Sequence, residues 1–279
     1  MKKIIPYIKK YLRPALLTIF ASVFLISAAA LIDYFIDSKK QQSQYNELSG
    51  LVDKIQQDMN AASGNGSNTS VEPLSRYVEV TDPNTGETFM ALREYAEIYN
   101  MNSDMAGWIK IEGTNINYPV MHTPDRANYY LKRDFYKNSS RHGSIYAAET
   151  ANLTMPSDNI TLYGHKMADS TMFASLHKYQ DKAFFEEHPL IQFDTITERH
   201  TYQICYVFII SAAPDTDFPY HIFVDGTEEE FLDFVANCKA RSLYDTGSEI
   251  VYGDKLITLS TCEHNVNNGR LVVVARRIG

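Results

Sequence analysis

The sequence is poor in cysteine and lacks the common zinc-binding patterns. Its three cysteines, Cys205, Cys238 and Cys262, form no CxxC pair, and there is no HExxH. These absences argue against the usual zinc sites. Spacing alone leaves a disulfide between Cys205 and Cys238 open, but both lie in apolar segments and we predict buried thiols. If the chain is exported, an odd cysteine count points to a free thiol or an intermolecular bridge.

Positive charge is scarce beyond the N-terminus. The chain has 26 basic and 34 acidic side chains, of which seven basic and two acidic ones lie in the first forty residues. The remaining residues therefore carry 19 basic and 32 acidic side chains, a net charge of −13. Nucleic-acid binding is not expected, because its usual footprint is a basic stripe. An acidic surface is typical of a soluble exported domain. No concentrated acidic cluster suggests calcium, so we predict no metal and no other cofactor.

The N-terminal segment has the pattern of a membrane anchor. Residues 15–32 contain no charge and approach the roughly 20 residues that span a bilayer. Five basic residues precede them: Lys2, Lys3, Lys9, Lys10 and Arg13. The positive-inside rule then predicts a cytoplasmic N-terminus (1–14), a transmembrane helix (15–36) and an external remainder. A cleaved secretory signal is the alternative, since residues 28–30 fit an A-x-A site. Both interpretations export the rest of the chain.

A stalk and a linker are predicted between the anchor and a single domain. Apolar residues recur at helical spacing at five positions: Tyr45, Leu48, Val52, Ile55 and Met59. This periodicity predicts a stalk helix. Residues 60–70 are small and polar, which is typical of a flexible linker. We therefore assign residues 37–75 to stalk and linker and residues 76–279 to one domain of sufficient size for a core.

The domain is predicted to be mainly β with added helices. Eight short β-like segments, at residues 107–111, 116–120, 143–146, 159–163, 190–193, 200–211, 255–261 and 271–276, favour a barrel or a sandwich. Short helices are predicted at residues 92–101, 173–179 and 182–187. A capping box at residues 227–230 begins a longer helix before the last two strands. Its predicted packed face is Phe231, Phe234, Val235 and Cys238.

The last two strands suggest a chemistry. Cys262 ends one of them and Arg270 begins the next, with a polar loop ending in Gly269 between them. This pattern predicts a hairpin. Directly paired residues across such a hairpin have Cβ atoms about 5 Å apart. A fixed cation beside a thiol favours the nucleophilic thiolate.

A thiol nucleophile also needs an acid/base, and eight histidines compete for that role. His165 leaves an apolar strand through a glycine, a position that places an imidazole at a barrel rim. His221 is a candidate to line a pocket, and His264 lies two residues from Cys262. His177 and His188 lie on helical or turn segments. From the residues alone the choice stays open, with His165 favoured.

These residues resemble the signature of sortases, the membrane-anchored cysteine transpeptidases of Gram-positive bacteria. The resemblance is carried by TLSTC at residues 258–262, by Arg270 eight positions later and by LYGH at residues 162–165. It covers about residues 76–279. Residues 107–120 and 134–136, the helix at 227–243 and the helical segment before the barrel are similar to class B. The resemblance implies an eight-stranded sortase-type β-barrel with a long helix between the last strands.

The resemblance also implies roles and partners. Cys262 would attack a carbonyl within a short sorting motif of an exported protein, His165 would act as acid and base, and Arg270 would stabilise the oxyanion. The acyl-thioester would pass to an amine of a peptidoglycan precursor or a pilin. The implied location is the cell membrane, single-pass, with an extracellular catalytic domain. The alternative is a membrane-tethered β-barrel binding module without catalysis. A papain-like protease is disfavoured, because there the cysteine precedes the histidine.

Overall fold

The computed structural model describes residues 5–64, 75–213, 216–263 and 266–279, in two units, residues 1–44 and 45–279. Helix α1 (Ile5–Gly64) supplies the described part of the first unit. Within the described residues it is the one helix that is long and apolar enough to cross a membrane. Its most apolar 18-residue window has a mean hydropathy of 2.5.

The second part of α1 belongs to the second unit. Tyr45, Leu48 and Val52 are buried there, so the predicted periodicity marks a packed face. The Tyr45 hydroxyl donates a hydrogen bond to the Gly143 carbonyl at 3.0 Å. The helix runs through Gly64, into the predicted linker, because its alanine-rich end still favours helix. Residues 65–74 of that linker lie outside the described residues, and the domain boundary at residue 76 stays a prediction.

A small antiparallel sheet that the sequence analysis missed precedes the barrel. Strands β1 (Tyr77–Thr81) and β2 (Thr88–Leu92) pair with each other, and helix α2 (Arg93–Met101) follows directly. Gly86, with φ of 75°, allows the turn between the two strands. Both strands alternate exposed and less exposed residues over most of their length, which was the available signal.

Eight further strands form a closed barrel, so the predicted barrel is confirmed over the sandwich. They are β3 (Met105–Lys110), β4 (Asn117–Met121), β5 (Ile145–Ala147), β6 (Asn159–Tyr163), β7 (Leu190–Thr195), β8 (Thr201–Ser211), β9 (Leu256–Glu263) and β10 (Gly269–Arg277). Their order around the barrel is β10-β8-β7-β3-β4-β5-β6-β9. The pairs β4–β5 and β6–β9 are parallel. The last two strands extend closer to their joining loop than predicted, so Cys262 and Arg270 lie within the hairpin ladder.

Helices cover the barrel on two sides. The 3-10 helix Phe173–Gln180 and helix α3 (Lys182–Glu187) follow β6, near the predicted positions. Helix α4 (Glu228–Arg241) begins with the predicted capping box. Its apolar face is buried as predicted, and it joins the outward-facing Val272 and Val274 of β10 in a second core cluster. The opposite faces of these strands fill the barrel interior, where Leu259 and Val273 lie.

Candidate active site

The barrel places Cys262 between two neighbouring strands that carry the other predicted site residues. In the antiparallel pair β9–β10, Cys262 is directly opposite Arg270, as the predicted hairpin requires. In the parallel pair β6–β9, the last matched residues are Tyr163 and Ser260. Strand β6 ends there, and His165 follows two residues later. The residues on either side of β9 that could act with the Cys262 thiol are therefore His165 and Arg270.

All three side chains border one cavity of about 380 Å³ on the outer side of the barrel. Alternation along β9 explains why: Ile257 and Leu259 fill the interior, so Ser260 and Cys262 face outward. Other lining residues include Tyr146, Glu149, Tyr163, Tyr220 and His221. The Tyr220 and Ser260 hydroxyls are 2.7 Å apart, which joins the segment before α4 to the floor of the cavity.

The backbone of Cys262 is held by a hydrogen bond from His177. Beyond Ser260, β9 no longer pairs with β6, so the Cys262 carbonyl needs another donor. His177 Nε2 donates to that carbonyl at 2.9 Å. Its Nδ1 lies 3.1 Å from Oε2 of Glu263, whose side chain is 1% exposed. A buried carboxylate requires such a partner. The sequence predicts only a helical or turn position for His177, because no local pattern links it to Cys262, 85 positions away.

Replacement of His177 by alanine is expected to destabilise the fold by roughly 1–3 kcal/mol, since it leaves the Cys262 carbonyl without this donor and removes a neighbour of the buried Glu263 carboxylate. Thermal or denaturant unfolding measures the effect. In a double-mutant cycle with Glu263→Gln, the loss should be clearly less than additive, because the glutamine carries no charge to be stranded. Additive losses would show that the two side chains do not stabilise each other.

The ring of His165 is oriented by a backbone contact. His165 Nε2 lies 2.7 Å from the carbonyl oxygen of Leu131, which belongs to the 3-10 helix Tyr129–Lys132. A carbonyl only accepts, so Nε2 carries the hydrogen of this bond. In the neutral ring, the hydrogen is therefore on Nε2 and Nδ1 is the acceptor nitrogen. The partly buried position at the end of β6 is the one predicted from the Gly164–His165 exit.

The Arg270 guanidinium contacts the backbone of its own hairpin and supplies a positive charge to the cavity lining. Its Nη1 donates to the Gly269 carbonyl at 2.9 Å and lies 3.3 Å from the Asn268 carbonyl. Burial raises the pKa of Tyr220, and the Arg270 charge opposes that rise. Burial lowers the pKa of His221, and the same charge lowers it further. The Arg270 charge therefore lowers the pKa of both Tyr220 and His221, which line the same cavity as Cys262.

The other histidine candidates differ in their placement. His221 lines the cavity, as the sequence analysis suggested, but faces a nearby cation that disfavours its protonated form. His188 is near another depression, with Lys110 and Gln192. His264 lies outside the described residues.

All three cysteines are free thiols, so the open alternative of a Cys205–Cys238 disulfide is not realised. Cys205 and Cys238 are fully buried, as predicted, whereas Cys262 is partly exposed. Burial raises the pKa of Cys205 to about 11 and also raises the pKa of Cys238.

Thiol labelling of the folded protein near pH 7.5 is therefore expected to modify Cys262 alone. A thiol with a pKa near 11 is ionised only on the order of 10⁻³ or less at that pH, and burial also blocks the reagent. Peptide mapping by mass spectrometry identifies the labelled residue. Unfolding in guanidinium provides the control, because it should expose all three thiols. Rapid labelling of Cys205 in the folded protein would contradict this burial pattern.

Comparison with known proteins agrees with this geometry. The Sortase domain profile matches residues 109–278. Sortase B of Staphylococcus aureus is 27% identical over 260 residues, 92% of each chain. Sortase B of Listeria monocytogenes is 32% identical over 188 residues, 66% of this chain and 74% of the relative. A solved Staphylococcus aureus sortase B–substrate complex has a TM-score of 0.68 at 25% identity and covers 87% of this chain and 98% of that one.

The chain therefore belongs to the sortase family, and its relatives place it in class B of that family. It is a sortase-type cysteine transpeptidase with a function in cell-wall anchoring. The alternative of a non-catalytic binding module is accordingly set aside. Members of the family act on substrates that carry a sorting motif, and homologues are membrane-associated.

Proposed function

We propose that Cys262, His165 and Arg270 carry the transpeptidase reaction. The observation that supports these roles is the placement on neighbouring strands: Cys262 pairs directly with Arg270, and His165 follows β6 two residues after its last pair with β9, Tyr163–Ser260. Neighbouring strands thus present a sulfur, an imidazole and a guanidinium to one cavity. A nucleophile, an acid/base and an oxyanion donor are what acyl transfer requires.

In the first half of the reaction, the Cys262 thiolate attacks a carbonyl carbon of the sorting motif. Negative charge develops on the carbonyl oxygen, where the Arg270 guanidinium fork donates hydrogen bonds. His165 gives a proton to the departing amine. The C–N bond breaks, and the acyl group remains on the sulfur as a thioester.

In the second half, an amine attacks the thioester carbonyl. Neutral His165 accepts the proton of the incoming amine at Nδ1, since its Nε2 hydrogen is used by the Leu131 carbonyl. The C–S bond breaks and a new amide forms. The acceptor is an amine of a peptidoglycan precursor or of a pilin. Water in its place would make the site a slow protease.

The setting of this reaction is the outer face of the cell membrane. The apolar helix near the N-terminus supports a single-pass anchor, with its basic flank in the cytoplasm. The barrel unit would then act outside the cell on exported proteins that carry a C-terminal sorting motif. Residues 1–14, 15–36, 37–75 and 76–279 would form the cytoplasmic N-terminus, anchor, stalk with linker, and catalytic domain.

Mass spectrometry of the protein after incubation with a library of candidate motif peptides tests the proposal. The expected result is an acyl adduct on Cys262 that carries the N-terminal part of one peptide class and disappears when an amine is added. The same experiment identifies the motif. An adduct on Cys205 or Cys238, or turnover without any adduct on Cys262, would refute the assigned nucleophile.

A further inference from the structure

Glu149 is a carboxylate in the active-site cavity that the proposed chemistry does not use. It lies two residues beyond strand β5 and borders the same cavity as Cys262. Glu149 is the one acidic residue among the described residues that line this cavity. It is partly buried, and its charge acts on His122, whose pKa burial lowers and the Glu149 carboxylate raises. A carboxylate partly shielded from water favours a cationic or hydrogen-bonding partner.

The position of Glu149 along the cavity follows from strand pairing. The Ala148 amide donates to the Thr161 carbonyl at 2.8 Å, so this part of the chain lies level with Thr161 on β6. Continuing the β5–β6 register places Glu149 level with Ile160, five residues before His165. At about 3.3 Å per residue, that separation is roughly 16 Å. An extended peptide rises by a similar amount per residue, so a peptide along β6 would place about five residues between Glu149 and the reacting carbonyl.

The cavity lining carries a negative charge at Glu149 and a positive charge at Arg270. Burial chiefly raises the pKa of Tyr146 and of Tyr163, the Glu149 charge raises both further, and the Arg270 charge opposes the rise. Both charges therefore act on the same aromatic floor from different positions. A cation on the substrate is attracted at the Glu149 end and repelled near Arg270, which would fix how a charged peptide lies in the cavity.

We propose that Glu149 forms a cation-binding subsite that takes a lysine or arginine side chain of the sorting peptide, about five residues from the bond that Cys262 cleaves. This inference rests on the proposed function and names a substrate feature that Cys262, His165 and Arg270 do not determine. The acidic composition of the chain outside its N-terminus also favours binding of basic peptides, because a net negative charge attracts them.

The test is a charge exchange between enzyme and peptide. Peptide sets carry lysine, norleucine, glutamine or glutamate at each position from two to six residues from the scissile bond. The initial rate of thioester formation on Cys262 at low peptide concentration gives kcat/KM. With the unmodified protein, kcat/KM for the peptide with lysine about five residues from the scissile bond should exceed that for norleucine by roughly 10- to 100-fold, the range for a charge-assisted hydrogen bond.

Variants separate a specific contact from general attraction. Glu149→Gln should abolish the lysine preference, and Glu149→Lys should transfer it to the glutamate peptide. Glu112→Lys, a matched charge reversal at a side chain that is 82% exposed and outside the cavity, should retain the lysine preference. Circular dichroism checks that each variant is folded, and the glutamine variant provides the test if the lysine variant does not fold.

The outcomes distinguish this inference from the proposed function. Thioester formation that does not depend on charge at any position would overturn the cation subsite while leaving the transpeptidase roles intact. Equal rates for glutamine and lysine peptides would also overturn it, since a neutral amide would then be sufficient. Absence of a Cys262 thioester with every peptide would overturn the proposed roles and the subsite together.

Discussion

Replacement of Cys262 by alanine is expected to abolish transpeptidation, with a loss of roughly 10⁴-fold or more. The reaction passes through a bond to this sulfur, and a methyl group offers no nucleophile in its place. Binding of the sorting peptide should persist, because the cavity walls formed by Tyr163 and Tyr220 are untouched. The fold should be preserved to within about 1 kcal/mol, since the partly exposed thiol contributes little packing.

Amide formation between a motif peptide and an amine measures the activity, and thermal unfolding measures the stability. Cys205→Ala is the matched control: it removes the same atoms from a fully buried site. It should cost stability, because it leaves a small cavity, while the folded fraction retains the reaction. Substantial transfer by the Cys262→Ala protein would remove this thiol from the mechanism.

The part of the site that lies on strands could be predicted from the sequence. A hairpin imposes a pairing, so two residues that flank its loop must face each other, and the structure pairs Cys262 with Arg270. The choice of His165 was weaker, because a parallel neighbour such as β6 is joined to β9 through nearly a hundred residues. Its register with β9 cannot be read from local pattern.

Contacts that depend on long-range packing could not be predicted. His177 reaches the Cys262 carbonyl from a 3-10 helix, and this depends on how that helix packs against the barrel interior. The place of Glu149 in the cavity depends on the pairing of β5 with β6. The β1–β2 hairpin was accessible in principle, because a turn with Gly86 separates two partly alternating segments. Its short, largely exposed strands give only a weak periodic signal.

Replacement of Arg270 by lysine is expected to reduce acylation about 10²- to 10³-fold, the usual loss when an oxyanion donor is removed. Lysine keeps the positive charge but lacks the planar fork that can donate to an oxyanion while also contacting the Gly269 carbonyl. The unfolding midpoint should change by no more than about 4 °C, since partly exposed contacts of this kind contribute at most about 1 kcal/mol. Single-turnover measurement of the Cys262 thioester isolates the affected step.

A control variant shows whether the loss of acylation comes from the guanidinium at position 270 or follows from replacing any arginine by lysine. Arg277→Lys, at the far end of the same strand β10, is the matched control and should acylate at the normal rate. If Arg270 serves mainly as a charge, Arg270→Lys should stay within a few fold of the unmodified protein, while Arg270→Gln should lose most activity. If the fork is required, the two variants should be similarly impaired in acylation while their unfolding midpoints remain close to normal. Near-normal acylation by both would exclude Arg270 from the reaction.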